Sequence, residues 1–273
     1  LKKLARKILK KYLFEKLVER DYSFEVKENY KFVISYPKSG NTWMRFLLAN
    51  VLSDEEIDFV NIEDKVIDIY KRNNKEIEEN KEHLNIFKSH SYFRPKFSNN
   101  KVVYIVRDPR DVVISYYNHY KKNKRREISF NDYLDLFINS NIDVFGNWGE
   151  NVGSWIGAKN NSEDFLLIKY EDMLKDTFKE LKKVCNFFNI NASDENIKKA
   201  VEKSKFNNLK NMEERVEDKA EATKKTSKKV KFFRKGKSRQ WEKELSKEHL
   251  ERIQNEFSEI MKLLDYDLML KDN

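Results

Sequence analysis

Residues 32–43, Phe32-Val33-Ile34-Ser35-Tyr36-Pro37-Lys38-Ser39-Gly40-Asn41-Thr42-Trp43, decide how this chain is read. The apolar, β-prone run Phe32, Val33, Ile34 stops at Pro37, and Lys38 to Thr42 form a small polar turn. Trp43, Phe46, Leu47, Asn50 and Val51 then fall at helical spacing. A strand that feeds a helix through a loop of glycine, hydroxyls and lysine is a cradle for phosphate. Unpaired backbone N–H groups and the positive end of the dipole draw anions to a helix start. Gly40 lets the backbone approach closely, and Lys38 adds a point charge. The order differs from a Walker loop, which places its Lys after the last Gly. Here Lys38 precedes Gly40 and no glycine lies upstream.

Outward from this stretch, strands are predicted at 31–36, 84–88, 101–106 and 165–169. Their continuous apolar character suits buried parallel strands. Helices are predicted at 42–52, 109–121, 129–139, 147–158, 173–188, 194–203 and 246–264. Asp108-Pro109 reads as an N-cap followed by a first helical residue, and Ser129 and Ser193 are further cap candidates. The alternation predicts an α/β fold: one domain over 1–273 with an open, mostly parallel sheet flanked by helices on both faces. Ligands of such sheets bind at the carboxyl ends of the strands. Residues 213–239 read as a loop in which acids precede nine basic residues between Lys224 and Arg239. Residues 1–20 form a basic amphipathic helix, read as packed on the domain in preference to a membrane surface.

Other stretches carry chemistry of their own. Arg107 ends the apolar run 102–106, and Ser115 lies two helical turns later. A planar guanidinium at a strand end suits a phosphate, because its fork pairs with two oxygens. Lys88 and His90 emerge from the short run Ile86-Phe87-Lys88-Ser89-His90. Of the four histidines, His83 and His249 sit in charged contexts and His119 falls late in an aromatic helix. His90 alone follows a strand. Neutral imidazole is the side chain able to take a proton near pH 7.

The string Tyr36-Pro37-Lys38-Ser39-Gly40 with Thr42-Trp43 resembles the 5′-phosphosulfate loop of the sulfotransferases that use 3′-phosphoadenosine 5′-phosphosulfate, PAPS. Lys88-Ser89-His90 resembles the family's Lys-x-His motif, and Phe232 to Trp241 resembles its Arg-Lys-Gly stretch, with Arg239 and Gln240 in place of the usual Gly-Asp. The likeness runs from about residue 30 to 245 and points to a cytosolic-type sulfotransferase domain of bacterial type. It implies a P-loop-like cradle of Lys38, Ser39, Gly40, Asn41, Thr42 and Trp43 on the 5′-phosphosulfate. It puts Arg107, Ser115, Arg234, Lys235 and Gly236 on the 3′-phosphate, and Tyr170, Ser204 and Phe206 on the nucleoside. It makes His90 the base, Lys38 the partner of the leaving phosphate, Lys88 a holder of the sulfuryl oxygens, and Ser115 a restraint on Lys38. Adenosine 3′,5′-bisphosphate (PAP) is the implied product, and no metal is implied.

Composition bounds the rest. Fifty-five basic against 46 acidic residues give a net charge of +9, which favours anionic partners without choosing among them. The single cysteine, Cys185, excludes an internal disulfide and lies at core spacing in a helix. With no apolar run longer than five residues and no secretory pattern, the expected compartment is the cytoplasm. The expected acceptor is a small molecule or glycan. It would be anionic if the basic cluster Lys121, Lys122, Lys124, Arg125, Arg126 borders its cleft. Two other readings stay open: a P-loop nucleotide kinase, which would need magnesium, and a nucleic-acid binder using 224–239, which would show steep salt dependence. Neither accounts for the Tyr36–Trp43 string, and nucleic acid is not the expected partner.

Overall fold

The computed structural model describes residues 23–72, 74–79, 85–122, 127–216 and 236–269. These residues contain five strands: β1 Lys31–Ser35, β2 Ile67–Asp68, β3 Ile86–Ser89, β4 Lys101–Val106 and β5 Phe165–Lys169. They form one parallel sheet in the order β2-β3-β1-β4-β5, with Phe32 opposite Phe87 on one side and Val102 on the other. The helices are α1 Asn41–Leu52, α2 Ile62–Lys65, α3 Asn74–Glu79, α4 Pro109–Lys122, α5 Phe130–Ile138 and α6 Trp148–Lys159. They continue with α7 Tyr170–Lys175, α8 Thr177–Phe187, α9 Asp194–Lys203, α10 Phe206–Val216, α11 Trp241–Glu244 and α12 Lys247–Leu263.

Successive strand residues point to opposite faces, so each strand feeds two cores. Phe32, Ile34, Phe87, Val102, Tyr104 and Val106 pack on one face against α4, α5, α6 and α12, through side chains such as Val113, Phe137, Trp148, Trp155 and Phe257. Val33, Ile86, Val103, Ile105 and Ile168 pack on the other against α1, α8 and α9, through Leu47, Leu48, Leu181, Val184 and Ala200. Cys185 belongs to this second core, where burial pushes its thiol up to about 11. The expected open parallel sheet with helices on both faces is the fold observed.

The local signals act as read at three helix starts. Pro109 opens α4, while Ser129 and Ser193 accept the N–H groups of Asp132 and Asn196, both at 3.1 Å. Elsewhere the structure departs from the prediction. The stretch 173–188 is two helices, because the Asp176 side chain caps α8 through the Lys179 N–H at 3.0 Å and breaks the run. Residues 213–216 complete α10, which corrects the expectation of a loop from 213. β2 was not foreseen. The amphipathic stretch 1–20 and residues 217–235 lie outside the described residues. Among the described residues, no helix is long and apolar enough to cross a membrane.

Candidate active site

Every strand delivers a polar group at its carboxyl end, and these groups meet over the sheet. β1 leads into the turn 36–40, where Lys38 and Gly40 have φ of +70° and +106°. Glycine is required at position 40 on two counts. Its φ is left-handed, and an added Cβ would stand 2.6 Å from a ring carbon of Tyr170. The Asn41 side-chain nitrogen is turned into the fold. It donates to the Val33 carbonyl at 3.1 Å, Ser35 Oγ at 3.3 Å and the Ser89 carbonyl at 3.4 Å, and so ties the turn to β1 and β3. Ser39 is fully buried, and its Oγ has no partner among the described residues.

β4 delivers Arg107. Its Nη1 donates to the Lys38 carbonyl at 3.3 Å and its Nη2 to the Lys237 carbonyl at 3.1 Å, so one guanidinium joins the turn to the segment after 235. The group lies 4.3 Å over the Tyr170 ring, and its buried Nε has no partner among the described residues. Tyr170, at the end of β5, meets the Trp43 ring edge-on at 5.9 Å. Gly236 has φ +58°, and a Cβ there would come within 2.4 Å of the Phe206 ring, so backbone and ring are in direct contact. Asp111 accepts the N–H groups of Arg239, Gln240 and Trp241 at 2.8, 2.9 and 3.2 Å and lies 3.6 Å from Arg107. Burial raises the Asp111 carboxyl, against the pull of Arg107 and these N–H groups.

β3 delivers Lys88 and His90. The Nδ1 of His90 lies 2.7 Å from the Ser35 carbonyl, which can only accept. Nδ1 therefore carries the proton, and Nε2 of the neutral ring holds the lone pair. Burial, and after it Lys88, holds this imidazole well below the ordinary histidine range despite the Ser35 bond. The ring is stacked near Tyr70 and edge-on to Phe145, with centroids at 6.5 and 5.5 Å. Burial also lowers the Lys88 ammonium, partly offset by Asp68, whose Oδ2 lies 3.1 Å away. Asp68 belongs to a buried ionic group. Glu63 pairs with Arg45 at 3.0 Å and Lys71 at 2.6 Å, and Arg45 also donates to the Val66 carbonyl. Burial pushes both carboxyls up, but the surrounding cations hold both below their usual values.

These groups line one cavity of about 380 Å³. Of the residues singled out from sequence, Lys38, Gly40, Asn41, Thr42, Trp43, Lys88, His90, Arg107, Ser115, Tyr170, Phe206 and Gly236 are on its wall. Ser39 and Ser204 are not. Ser204 is buried behind the wall, with its carbonyl accepting from Trp43 Nε1 at 3.1 Å and its Oγ from Asn50 at 3.2 Å. Both contacts tie it to α1. Arg234 and Lys235 lie outside the described residues. The wall also holds Arg45, Glu63, Asp68, Lys71, His119, Asp143 and Phe145, which sequence reasoning missed. Lys121 lies 4.2 Å over the Tyr117 ring and is off the wall; the Lys122 side chain and residues Lys124, Arg125 and Arg126 are not described. The one described side chain of that cluster therefore gives an anionic glycan no support.

A family model described as a sulfotransferase domain matches residues 29–265. A 3-beta-hydroxysteroid sulfotransferase of Cavia porcellus is 30% identical over 203 residues, 70% of this chain and 69% of its own. An amine sulfotransferase of Oryctolagus cuniculus is 26% identical over 268 residues, 90% of this chain and 85% of its own. A crystal structure of a mouse sulfotransferase complexed with PAP superposes with a TM-score of 0.72 at 26% identity, covering 93% of this chain and 89% of that one. These relatives are mammalian, and the expectation of a bacterial-type member is not borne out.

Proposed function

Because this chain belongs to the sulfotransferase family, we propose that it transfers a sulfuryl group from PAPS to a hydroxyl or amine of a small-molecule acceptor. The observation that carries the reading is the single cavity shared by the Lys38 turn and Arg107. A bis-anionic adenosine donor needs two anion sites within one molecule's reach, and Arg107 is bonded to the backbone of the turn itself. The buried Nε of Arg107, without a partner among the described residues, fits an anion, as does a turn with two residues of positive φ.

When bound, PAPS supplies the sulfuryl group and a phosphate leaving group. Lys38, Thr42 and the backbone of the turn hold the 5′ end, and Arg107, Ser115 and the Gly236 segment hold the 3′-phosphate. Arg234 and Lys235 are proposed to join them. Trp43, Tyr170 and Phe206 hold the base between aromatic faces and edges. His90 Nε2 takes the acceptor's proton. Lys88, fixed by Asp68, faces the sulfuryl oxygens, and Lys38 meets the charge that grows on the leaving oxygen. Positioning and preorganised positive charge supply most of the acceleration.

The relatives' names span a steroid, an amine and a flavonol, so membership alone does not choose the acceptor. The donor is tested by thermal melting. PAP at about one hundred times its Kd raises the free energy of unfolding by about 2.7 kcal/mol, whereas ATP at the same concentration gives a much smaller rise. An equal rise with both nucleotides removes the assignment. A screen of radiolabelled PAPS over alcohols, phenols and amines then reads transfer itself.

A further inference from the structure

We propose that Asp68 is a positioning residue that, through Lys88, gives the site its hold on the sulfuryl end of the donor. The proposal rests on the sulfotransfer reading, in which Lys88 faces the sulfuryl oxygens.

Asp68 ends the edge strand β2, and Lys88 is its register partner on β3. Partners in adjacent strands share a face of the sheet, so the two side chains stand together. Lys88 Nζ donates to Asp68 Oδ2 at 3.1 Å. Both side chains line the cavity and keep 10% and 11% of their exposure, so the pair meets a ligand but little bulk water. Asp68 is itself held. Its N–H donates to Glu63 Oε2 at 2.9 Å, its Oδ1 accepts the Tyr70 N–H at 3.1 Å, and Glu63 pairs with Arg45 at 3.0 Å. Arg45 belongs to α1, the helix that opens at the Lys38 turn. Contacts therefore run unbroken from the phosphate helix to the Lys88 ammonium.

The charge of Lys88 needs that support. Burial lowers its pKa, and Asp68 is the largest influence against burial. No other neighbour replaces it. Arg45 and Lys71 are cations that repel the ammonium, and Glu63 is engaged with both of them. Lys38 is a further cation of the same wall, and burial keeps His90 neutral. Tyr70 offers its ring, 4.9 Å from Nζ. Without Asp68 the amine loses both its aim and its proton, and a neutral amine gives the sulfuryl oxygens no charge-assisted bond. PAP has no sulfuryl group, so its affinity does not depend on this pair.

Calorimetry with PAPS and with PAP, in the absence of any acceptor, reads the effect without turnover. From pH 8 upward the phosphates of both nucleotides are fully ionised. Asp68→Asn is nearly isosteric and keeps an acceptor for the Tyr70 N–H. At pH 8 it weakens PAPS about tenfold and leaves PAP within about threefold. The pH at which PAPS weakens relative to PAP also moves down, because Lys88 has lost the group that opposes burial. In a Lys88→Met background Asp68→Asn leaves the PAPS-to-PAP ratio where Lys88→Met put it. A merely structural carboxylate would weaken both nucleotides alike and would act in either background. An unchanged ratio or an unmoved pH midpoint in Asp68→Asn, loss of PAP together with PAPS, misfolding included, or a further fall in the Lys88→Met background overturns the proposal. Failure of the sulfotransfer reading shows differently and overturns both: the wild-type chain then binds neither nucleotide and transfers no label.

Discussion

An imidazole kept neutral by burial stays a base at pH values where a solvated histidine is already protonated. For His90 the Ser35 bond fixes which nitrogen is free, and burial beside Lys88 lowers the pKa. The acid limb of kcat/KM is therefore expected to lie well below 6.5, with little loss of rate as the pH falls through that value. His90→Ala lowers turnover by about 10²- to 10⁴-fold and keeps the melting shift with PAP. Near-normal turnover in that variant removes the role. Lys38, Lys88, His90 and Arg107 were legible because each closes or follows a β-prone run, where an α/β sheet presents its ligand groups. Asp143 and Arg45 were not. Nothing in the sequence says that Glu63 and Asp68 answer the charges of Arg45, Lys71 and Lys88, since those contacts form only when α1, α2, β2 and β3 pack.

At the level of the element, α4 and the segment leading into α11 act together. Asp111, in the first turn of α4, gathers three backbone N–H groups from residues 239–241 and stands beside Arg107. Trp241 is held on the same turn, with the Arg110 guanidinium 3.9 Å over its ring. Asp111→Ala strips this support and leaves the donors of 239–241 without an acceptor. Its affinity for PAP should fall roughly tenfold or more, since even one charge-assisted hydrogen bond is worth about 1.5–3 kcal/mol. Titration calorimetry reads the loss, and unchanged affinity would show that the segment holds itself. Ordinary helices were legible here through caps and apolar spacing. The two-residue β2 is too short to show a period, and the break at Asp176 depends on a side-chain cap that overrides an otherwise continuous helical pattern.

Over the whole molecule, two buried groups give stability opposite dependences on pH. The folded pKa of His90 is depressed, so its contribution is complete above about 6.5 and is lost as the pH falls towards the folded value. Asp143 is raised from 3.8 to about 7, so its carboxylate costs stability above 7, and the cost shrinks as the pH falls towards 3.8. Asp143→Asn should therefore melt above the wild type at pH 8, with a gap that narrows by pH 5. A constant gap would mean that the carboxyl titrates alike in both states. The fold itself was legible at this scale, because buried parallel strands are apolar on both faces and their spacing by helices admits few other arrangements. The order of the strands was not, because four similar apolar segments carry no label of their neighbours.

The bracing of one indole has a practical consequence. The chain has four tryptophans, of which Trp148, Trp155 and Trp241 are buried in the core. Trp43 alone sits on the cavity wall, edge-on to Tyr170 and tethered through its ring nitrogen to Ser204. It is a built-in optical probe: titration with PAP should change the intrinsic emission, and Trp43→Phe should abolish the change while the signal from the other three stays constant. No dye or label is needed to follow occupancy in real time.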